Sequence, residues 1–130
     1  MVEDRNYRIL RHHFPGKYTF ILPATREVPK IVQTKTRTVG IRIPDSPTCL
    51  ALIRELGHPI ISTTVNRRID GESDYLNDPD EIAEVFGRSV EVLLDAEPLY
   101  GEPSTVVDLT GDKPEILRYG SGDVSWLENE

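Results

Sequence analysis

The stretch Pro59-Ile-Ile-Ser-Thr-Thr-Val-Asn66 constrains the fold most, because it is a run of β-branched residues that begins apolar and ends polar. Val, Ile and Thr pack well on a pleated surface, so the run predicts a central β-strand. Side chains alternate between the two faces of a strand, which assigns Ser62, Thr64 and Asn66 to one face. The sequence therefore predicts a polar site at the C-terminal end of this strand.

Two similar runs accompany this predicted strand, Thr38–Pro44 before it and Ser104–Thr110 after it. Each carries short polar groups or a charge beside aliphatic residues. Open α/β sheets bind ligands in a crevice at their strand ends, and this pattern is typical of such a sheet. A chain of 130 residues has the length of one domain, so we expect a single α/β domain over residues 1–130.

Capping residues and apolar spacing predict three helices. Asp4 is a candidate cap for the first helix, which Pro15-Gly16 ends. Ser46-Pro47 starts the second helix, and Gly57 is placed to close it. The third helix starts at Asp78-Pro79 and has an acidic first turn. The predicted helices therefore cover residues 4–14, 46–57 and 78–86.

Three further strands follow from β-branched and aromatic runs, at Tyr18–Leu22, Val90–Leu94 and Glu115–Arg118. The last of them lies behind a Gly- and Pro-containing hairpin turn. Arg67–Asn77 is polar and contains glycine, which predicts a surface loop. Short helical turns are predicted near Ile31 and around Trp126.

The composition, with 38% apolar and 28% charged residues, is that of an ordinary globular protein. The single Cys49 excludes a disulfide within one chain, and its apolar helical surroundings predict a buried, inert thiol that suits a reducing compartment. The sequence has no apolar run long enough to span a membrane, and its first residues lack the features of a signal peptide. We therefore expect a cytoplasmic protein with no membrane partner.

The net charge of −7 conceals an asymmetry between the two halves of the chain. Residues 1–68 hold 12 Lys and Arg against 5 Asp and Glu, whereas residues 69–130 hold 3 against 17. The first half could present a positive face to an anion, and a phosphate-bearing small molecule suits it better than a long nucleic acid. The alternative is a solvated basic half offset by a solvated acidic half.

Common catalytic and metal-binding patterns are absent from the sequence. No Gly-rich loop ends in Lys-Ser or Lys-Thr, so a P-loop is excluded. His12 and His13 are adjacent and would point about 100° apart on a helix, which is poor geometry for a shared metal. We therefore predict no protein-bound metal, and we interpret the two histidines as cations at a helix C-terminus.

Hydroxyls, an amide and arginines at the predicted strand ends are the candidate ligand-binding groups. Hydroxyls and amides donate or accept single hydrogen bonds, while arginine offers a forked set of donors suited to phosphate or carboxylate. The candidates are Ser62, Thr64, Asn66, Ser104, Thr105, Arg42 and Arg118. The alternative is that the hydroxyls pair across strands, the amide lies in a turn and the arginines form surface ion pairs.

Five motifs in these regions resemble, in order, the successive signatures of the YrdC/YciO family. They are Phe14-Pro-Gly-Lys-Tyr-Thr-Phe-Ile-Leu22, Val39-Gly-Ile-Arg-Ile-Pro44, Ser62-Thr-Thr-Val-Asn66, Pro103-Ser-Thr-Val-Val-Asp108 and Ile116-Leu-Arg-Tyr-Gly120. The sequence Tyr-Thr-Phe-Ile-Leu resembles the YciO branch more closely than the tRNA-modifying YrdC branch. Together the motifs extend over nearly the whole chain.

The resemblance implies a twisted α/β sheet and a reaction in which threonine, bicarbonate and ATP, as its Mg²⁺ complex, give threonylcarbamoyl-AMP and pyrophosphate. That product supplies the threonylcarbamoyl group of certain tRNAs. By the same resemblance, Ser62 and Asn66 are expected near the nucleotide, and Ser104 and Arg118 near its phosphates. Arg42 is expected on the amino-acid or phosphate side. Such chemistry depends on positioning and requires no protein nucleophile.

The sequence departs from the family pattern in two ways. Thr64 and Val65 stand where the family has Ser and Ala, which would give a bulkier adenosine pocket. The chain also lacks the family's Pro-Thr-Asp/Glu-Thr segment and its Lys-x-Arg motif followed by Lys-Pro. We therefore expect an N-terminally truncated relative, corresponding to the C-terminal two-thirds of the family domain, with impaired activity on its own.

Three hypotheses remain open at this point. The chain is part of a threonylcarbamoyl-AMP synthase-like enzyme completed by another segment, a non-catalytic nucleotide- or RNA-binding module, or a self-associating structural protein. An uncovered sheet edge would favour a homodimer. Any tRNA contact would be weak, salt-dependent and carried by Arg8, Arg11, Lys17, Lys35 and Arg37.

Overall fold

The computed structural model describes residues 2–69, 71–96 and 98–130. They belong to two compact units. The sheet unit is formed by Met1–Ile60 together with Glu102–Glu130, and the hairpin unit is formed by Ile61–Gly101.

Three helices and six strands follow one another along the described chain. Their bounds are α1 Asp4–His13, β1 Tyr18–Pro23, β2 Thr38–Arg42, α2 Pro47–Leu56, β3 Asn66–Ile69, β4 Glu72–Tyr75, α3 Pro79–Phe86, β5 Thr105–Asp108 and β6 Glu115–Arg118. Single 3₁₀ turns lie at Lys30–Val32 and Ser125–Asn129. The predicted mixed α/β class with three helices is confirmed.

The sheet unit is built on a mixed four-stranded sheet with the order β2-β1-β5-β6. β1 runs antiparallel to β2 and parallel to β5, and β5 runs antiparallel to β6. One face of the sheet carries the core, in which Phe20 and Val107 are completely buried. Ile9 of α1 packs into this cluster with Leu22 and Leu109. Burying each such side chain stabilises the folded state by about 1.5–3 kcal/mol, so the packing on this face stabilises the sheet unit.

The N-terminal end of α1 is attached to the turn that connects β5 and β6. Asn6, which is buried, donates from Nδ2 to the carbonyl of Leu109 at 3.1 Å. Arg5 donates from Nη2 to the carbonyl of Gly111 at 3.0 Å. At the other end of α1, the ring of His13 lies against Trp126, with 4.2 Å between the ring centroids. The helix is therefore held on the core face at both ends.

The hairpin unit contains an antiparallel pair of short strands, β3 and β4, and helix α3. Arg67 forms an ion pair with Asp74 across the hairpin, at 3.7 Å, and another with Glu81 of α3, at 3.0 Å. Asp78 caps α3 by accepting a hydrogen bond from Asp80 N at 2.8 Å, as the sequence predicts. Leu76 is the buried hydrophobic residue of this unit within the described ranges.

The prediction of a central strand over Pro59–Asn66 is wrong. Residues 59–65 lie in neither a helix nor a strand, and β3 begins only at Asn66. The predicted surface loop at Arg67–Asn77 is also wrong, because it contains the β3–β4 hairpin. Val90–Leu94 forms no strand either. β-branched residues favour a pleated backbone, but a strand needs a neighbour to complete its hydrogen bonds, and composition does not reveal that neighbour.

The capping signals of α2 predict its bounds correctly but not its burial. Ser46 Oγ accepts from Cys49 N at 3.3 Å, and Gly57 closes the helix with a left-handed backbone, φ 80°. None of its residues is buried, so the predicted buried thiol of Cys49 is wrong and the side chain is exposed. Among the helices of the described residues, none has the length and apolar character of a membrane span.

Candidate functional site

A row of side chains crosses the sheet on the face opposite the core. The strand register pairs Thr19 with Arg42 of β2 and with Val106 of β5, and it pairs Val106 with Arg118 of β6. Residues paired in a regular ladder share one face, and the neighbouring Phe20 faces the core. The register of β5 and β6 shifts between Val106 and Val107, and the hydrogen bond from Arg118 to Ser104 Oγ, which itself contacts Thr19 Oγ1, assigns the Arg118 side chain to the face of Thr19. Arg42, Thr19, Val106 and Arg118 therefore form one line over four strands, which we call the arginine row.

Arg118 is held at one end of this row by Ser104. Its Nε and Nη2 donate to the carbonyl oxygen of Ser104 at 3.1 and 2.8 Å, and Nη2 also donates to Ser104 Oγ at 3.1 Å. Ser104 Oγ lies 2.8 Å from Thr19 Oγ1, which completes a chain of three polar side chains. Because Ser104 is only 5% exposed, this chain is anchored in the sheet and fixes the orientation of the guanidinium.

The two arginines of the row retain unused hydrogen-bonding capacity. The bonds of Arg118 to described residues use Nε and Nη2 and leave Nη1 available. Arg42 is exposed, and neither arginine forms an ion pair with a carboxylate in the described ranges. Three strand spacings separate the backbones, about 14 Å, a distance that two long side chains can bridge over a polyphosphate. The row is thus an open cationic surface with forked donors.

The side chain of Thr105 holds the backbone segment that follows Arg118 in place. Its buried hydroxyl accepts from Gly120 N at 3.1 Å and Gly122 N at 2.9 Å, and it donates to the carbonyl of Gly122 at 2.8 Å. A Cβ on Gly120 would lie 2.2 Å from the carbonyl oxygen of Pro103, so only glycine permits this close approach. Thr105 is therefore a positioning residue rather than a ligand-binding one.

The structure brings Ser104, Arg118 and Arg42 to one face of the sheet unit, and Thr19 joins them. Sequence reasoning missed Thr19, although its alternation with Phe20 in β1 was a signal that its hydroxyl faces away from the core.

The other three candidates belong to the hairpin unit. Ser62 and Thr64 are exposed and lie outside the strands. Asn66 begins β3, where it is half-buried and paired with Tyr75. The prediction that these three side chains share a strand face is wrong, because only Asn66 lies in a strand.

A separate open cleft of about 570 Å³ lies beside the C-terminal end of α1. Lys17, Tyr18, Asp45, Asp123 and Trp126 are among its lining residues. Burial raises the pKa of Tyr18, whose hydroxyl donates to the carbonyl of Asp123 at 2.7 Å. A hydrogen bond from the Ser125 hydroxyl lowers the pKa of Asp123. The charges around this cleft have both signs, so it selects no simple ion.

His12 and His13 touch through their ring edges, with centroids 5.1 Å apart. Nδ1 of His13 lies 2.7 Å from the carbonyl of Ile9 and must carry the proton of that hydrogen bond. The ring packs against Trp126 and Tyr18. The described residues contain no group of three metal-ligating side chains.

Comparisons with known proteins match nearly the whole chain. The family model Sua5_yciO_yrdC, described as "Telomere recombination", matches residues 1–120. The uncharacterized protein YciO of Escherichia coli K12 is 38% identical over 124 residues, which cover 95% of this chain and 59% of that protein. The crystal structure of E. coli YciO has a TM-score of 0.86 at 36% identity and matches 96% of this chain and 60% of its own.

More distant relatives carry a named activity or ligand. A threonylcarbamoyl-AMP synthase of Pyrococcus abyssi is 32% identical over 121 residues, which cover 92% of this chain and 35% of that protein. The crystal structure of P. abyssi Sua5 complexed with L-threonine has a TM-score of 0.80 at 29% identity, with 92% of this chain and 35% of that chain covered. The chain thus spans about three fifths of the length of YciO and about one third of these longer relatives.

Proposed function

The chain belongs to the Sua5/YciO/YrdC family, and on that premise we propose that it binds a nucleotide through its phosphates at the arginine row. The observation that carries the proposal is the fixed guanidinium of Arg118, held by Ser104 on the same sheet face as Arg42. Forked, pre-oriented donors bind phosphate oxygens in two-point contacts and lose little conformational freedom when they do so.

The proposed reaction is that of a threonylcarbamoyl-AMP synthase, the activity named for a relative of this chain. The threonine amine and bicarbonate give a carbamate and water. A carbamate oxygen then attacks the α-phosphorus of Mg²⁺-bound ATP, and the bond to the bridging oxygen breaks to release pyrophosphate. Negative charge accumulates on that leaving group, so cations that already face it lower the barrier.

Each residue has a distinct part in this proposal. Arg118 and Arg42 bind the phosphates, and Ser104 both orients Arg118 and offers its hydroxyl. No side chain acts as a nucleophile, because the reaction needs the carbamate and the α-phosphorus in line rather than a covalent intermediate.

The second candidate function is a nucleotide- or RNA-binding module without turnover. The exposure of the basic side chains that could contact tRNA favours this second function. All five are exposed, namely Arg8, Arg11, Lys17, Lys35 and Arg37. We expect any tRNA binding to be weak and to fall steeply with salt concentration, because exposed Lys and Arg bind nucleic acid through counterion release.

We further propose that the protein works in the cytoplasm, associates with itself, and is helped in turnover by a complementing segment. The exposed thiol of Cys49 is compatible with a reducing compartment, where free thiols persist. The sequence has no Lys-x-Arg motif followed by Lys-Pro, so residues 1–130 alone should bind ATP better than they convert it.

Calorimetric titration with ATP and with adenosine tests the binding site. Arg118→Ala should weaken ATP binding about 10- to 100-fold, the loss expected for a charge-assisted hydrogen bond of about 1.5–3 kcal/mol, with little effect on adenosine. Arg118→Lys keeps the charge but loses the fork, so its loss should be intermediate.

Arg26→Ala is the matched control, because Arg26 is an exposed arginine of the sheet unit outside the row. It should leave ATP affinity within about twofold of the wild type, since exposed charges distant from a ligand are screened. Equal losses of ATP affinity for Arg26→Ala and Arg118→Ala would show that ATP binding depends on the overall charge of the protein and not on a specific site at Arg118. A measurement of pyrophosphate release distinguishes the two candidate functions. Release that requires both threonine and bicarbonate would support the synthase, whereas a binding module without turnover would release no pyrophosphate.

A further inference from the structure

The hydroxyl of Ser104 lies between two side chains of the arginine row. Its Oγ is 3.1 Å from Nη2 of Arg118 and 2.8 Å from Oγ1 of Thr19. A serine hydroxyl has one proton to donate and two lone pairs that accept. A guanidinium only donates, so Arg118 occupies a lone pair of Ser104 and leaves the Ser104 proton for another partner.

The burial of Ser104 decides where this proton points. Ser104 is only 5% exposed, whereas Thr19 is half-buried. A buried donor without an acceptor is costly, and among the described side chains Thr19 supplies the acceptor that Ser104 Oγ can reach. Ser104 therefore donates to Thr19 Oγ1, and the Thr19 proton is left to point away from Ser104.

The two bonds form a chain of donors that runs in one direction, from the guanidinium of Arg118 through Ser104 to Thr19. Each bond in such a chain polarises the next, and a charged first donor strengthens the effect. The Thr19 hydroxyl at the end of the chain is thus a stronger donor than an isolated threonine. It lies on the sheet face that carries Arg42 and Arg118.

Packing against β2 holds the side chain of Thr19 in one orientation. A β-branched side chain has few rotamers in a strand. A Cβ on Gly40 of β2 would lie 3.3 Å from Cγ2 of Thr19, so Gly40 leaves just enough room for the Thr19 methyl group. The Thr19 hydroxyl is therefore oriented before a ligand arrives, which lowers the entropy cost of binding.

We propose that Thr19 is a ligand-binding residue of the arginine row and that its hydroxyl donates to a phosphate oxygen. The inference rests on the proposed binding of a nucleotide through its phosphates, and it adds a neutral donor between the two arginines. Ionised phosphate oxygens are strong acceptors, which suits the outward proton of Thr19. The hydroxyl that Ser104 offers reaches the phosphate through Thr19.

Calorimetric titration of Thr19 variants with ATP and with inorganic pyrophosphate tests the contact. Thr19→Val keeps the shape and removes the hydroxyl, so it should weaken the binding of both ligands about 3- to 10-fold. Thr19→Ser keeps the hydroxyl and should stay within about twofold of the wild type.

Thr38→Val is the matched control. Thr38 is a half-buried threonine of β2 whose hydroxyl lies 2.7 Å from Thr34 Oγ1, outside the row. The change should leave both affinities within about twofold of the wild type. Equal losses for Thr19→Val and Thr38→Val, or a Thr19→Ser variant that binds as weakly as Thr19→Val, would overturn the proposal. Thermal unfolding verifies that each variant is folded.

The double variant of Thr19→Val and Ser104→Ala tests the direction of the chain. If Thr19 contacts the phosphate, Thr19→Val should still weaken pyrophosphate binding about threefold in the Ser104→Ala background. If Thr19 acted only as a donor to Ser104, Thr19→Val would have no further effect in that background. That result would contradict the proposal.

Failure of this proposal is distinguishable from failure of nucleotide binding. A loss of ATP affinity for Arg118→Ala but none for Thr19→Val would remove Thr19 from the site and leave nucleotide binding intact. Pyrophosphate binding that depends on Thr19, without binding of ATP, would support the Thr19 contact and contradict the proposed function. A wild type that binds neither ligand would overturn both.

Discussion

The sheet unit and the hairpin unit contain similar β-branched sequences but differ in how they bury them. In the sheet unit, Phe20 and Val107 are fully buried beneath α1. In the hairpin unit, Leu76 is buried, whereas Ile61 and Val92 are exposed within the described ranges. The comparison teaches that β-forming composition gives a stable layer only where strands pair and a helix covers one face.

The arginines of the two units differ in the same way. Arg67 of the hairpin unit forms ion pairs with Asp74 and Glu81. Arg42 and Arg118 of the sheet unit form none with the described carboxylates. Ser104 holds the guanidinium of Arg118 in place, and a fixed donor of this kind is suited to bind an external anion because it keeps its geometry without the ligand.

The largest expected effect is on the core of the sheet unit. Phe20→Ala should lower the free energy of unfolding by about 3–5 kcal/mol, because it removes a fully buried ring and leaves a cavity. Leu76→Ala should cost less, about 2 kcal/mol, because Leu76 is 6% exposed and the truncation of a smaller side chain leaves a smaller cavity. Chemical denaturation of both variants measures the difference. A larger loss for Leu76→Ala would reverse the proposed ranking of the two units.

Thr105→Val should have the next largest effect, a loss of about 1–3 kcal/mol in the free energy of unfolding. It leaves Gly120 N and Gly122 N without their hydroxyl acceptor. Thr110→Val, at an exposed threonine of the same unit, is the control and should cost well under this amount. Equal losses in thermal unfolding would show that the Gly120–Gly122 segment does not depend on Thr105.

The sequence predicts the sheet unit better than the hairpin unit, and the reason is local. α1, β1 and α2 have their own signals, such as the Ser46 cap and the left-handed Gly57, and these signals act within a few residues. The pairing of β1 with β5 joins residues far apart in sequence, which no local pattern specifies. Residues 59–65 show the opposite case, in which a strong strand signal leads to no strand among the described residues.

The candidate site shows the same difference between local signals and contacts between residues far apart in sequence. Arg42, Ser104 and Arg118 could be proposed from residue type, because forked donors and hydroxyls mark anion sites. Their common row depends on strand register, as does the inclusion of Thr19, and register cannot be read from one strand alone.

In the hairpin unit, Arg67→Gln should lower the free energy of unfolding by no more than about 1 kcal/mol, since both of its ion pairs are exposed. The effect should shrink further in high salt because ions screen exposed charges. Denaturation of wild type and variant at low and high salt measures it. A loss that is larger, or independent of salt, would indicate that Arg67 has a role beyond surface ion pairing.

The smallest effect concerns the alkaline limit of the sheet unit. Burial raises the pKa of Tyr18 above its ordinary value of 10.0. The neutral phenol is therefore favoured in the fold, so this contribution to stability is complete below about pH 10 and is lost as pH rises through the raised pKa. Tyr18→Phe should flatten that decline slightly. An unchanged slope in thermal unfolding between pH 9 and about pH 11 would exclude Tyr18 as its source.

Amide and arginine side-chain NMR spectra recorded during an ATP titration test the central claim most directly. If the arginine row binds the phosphates, the signals of Thr19, Ser104 and Arg118 should shift together with the Arg42 side chain, while those of Ile9 in the core keep their positions. Adenosine should leave the Arg118 and Arg42 signals in place. Saturating ATP that shifts residues around Tyr18 and Trp126, or only the hairpin unit, without moving Arg118 and Arg42 would contradict the assignment of the phosphate site to the row.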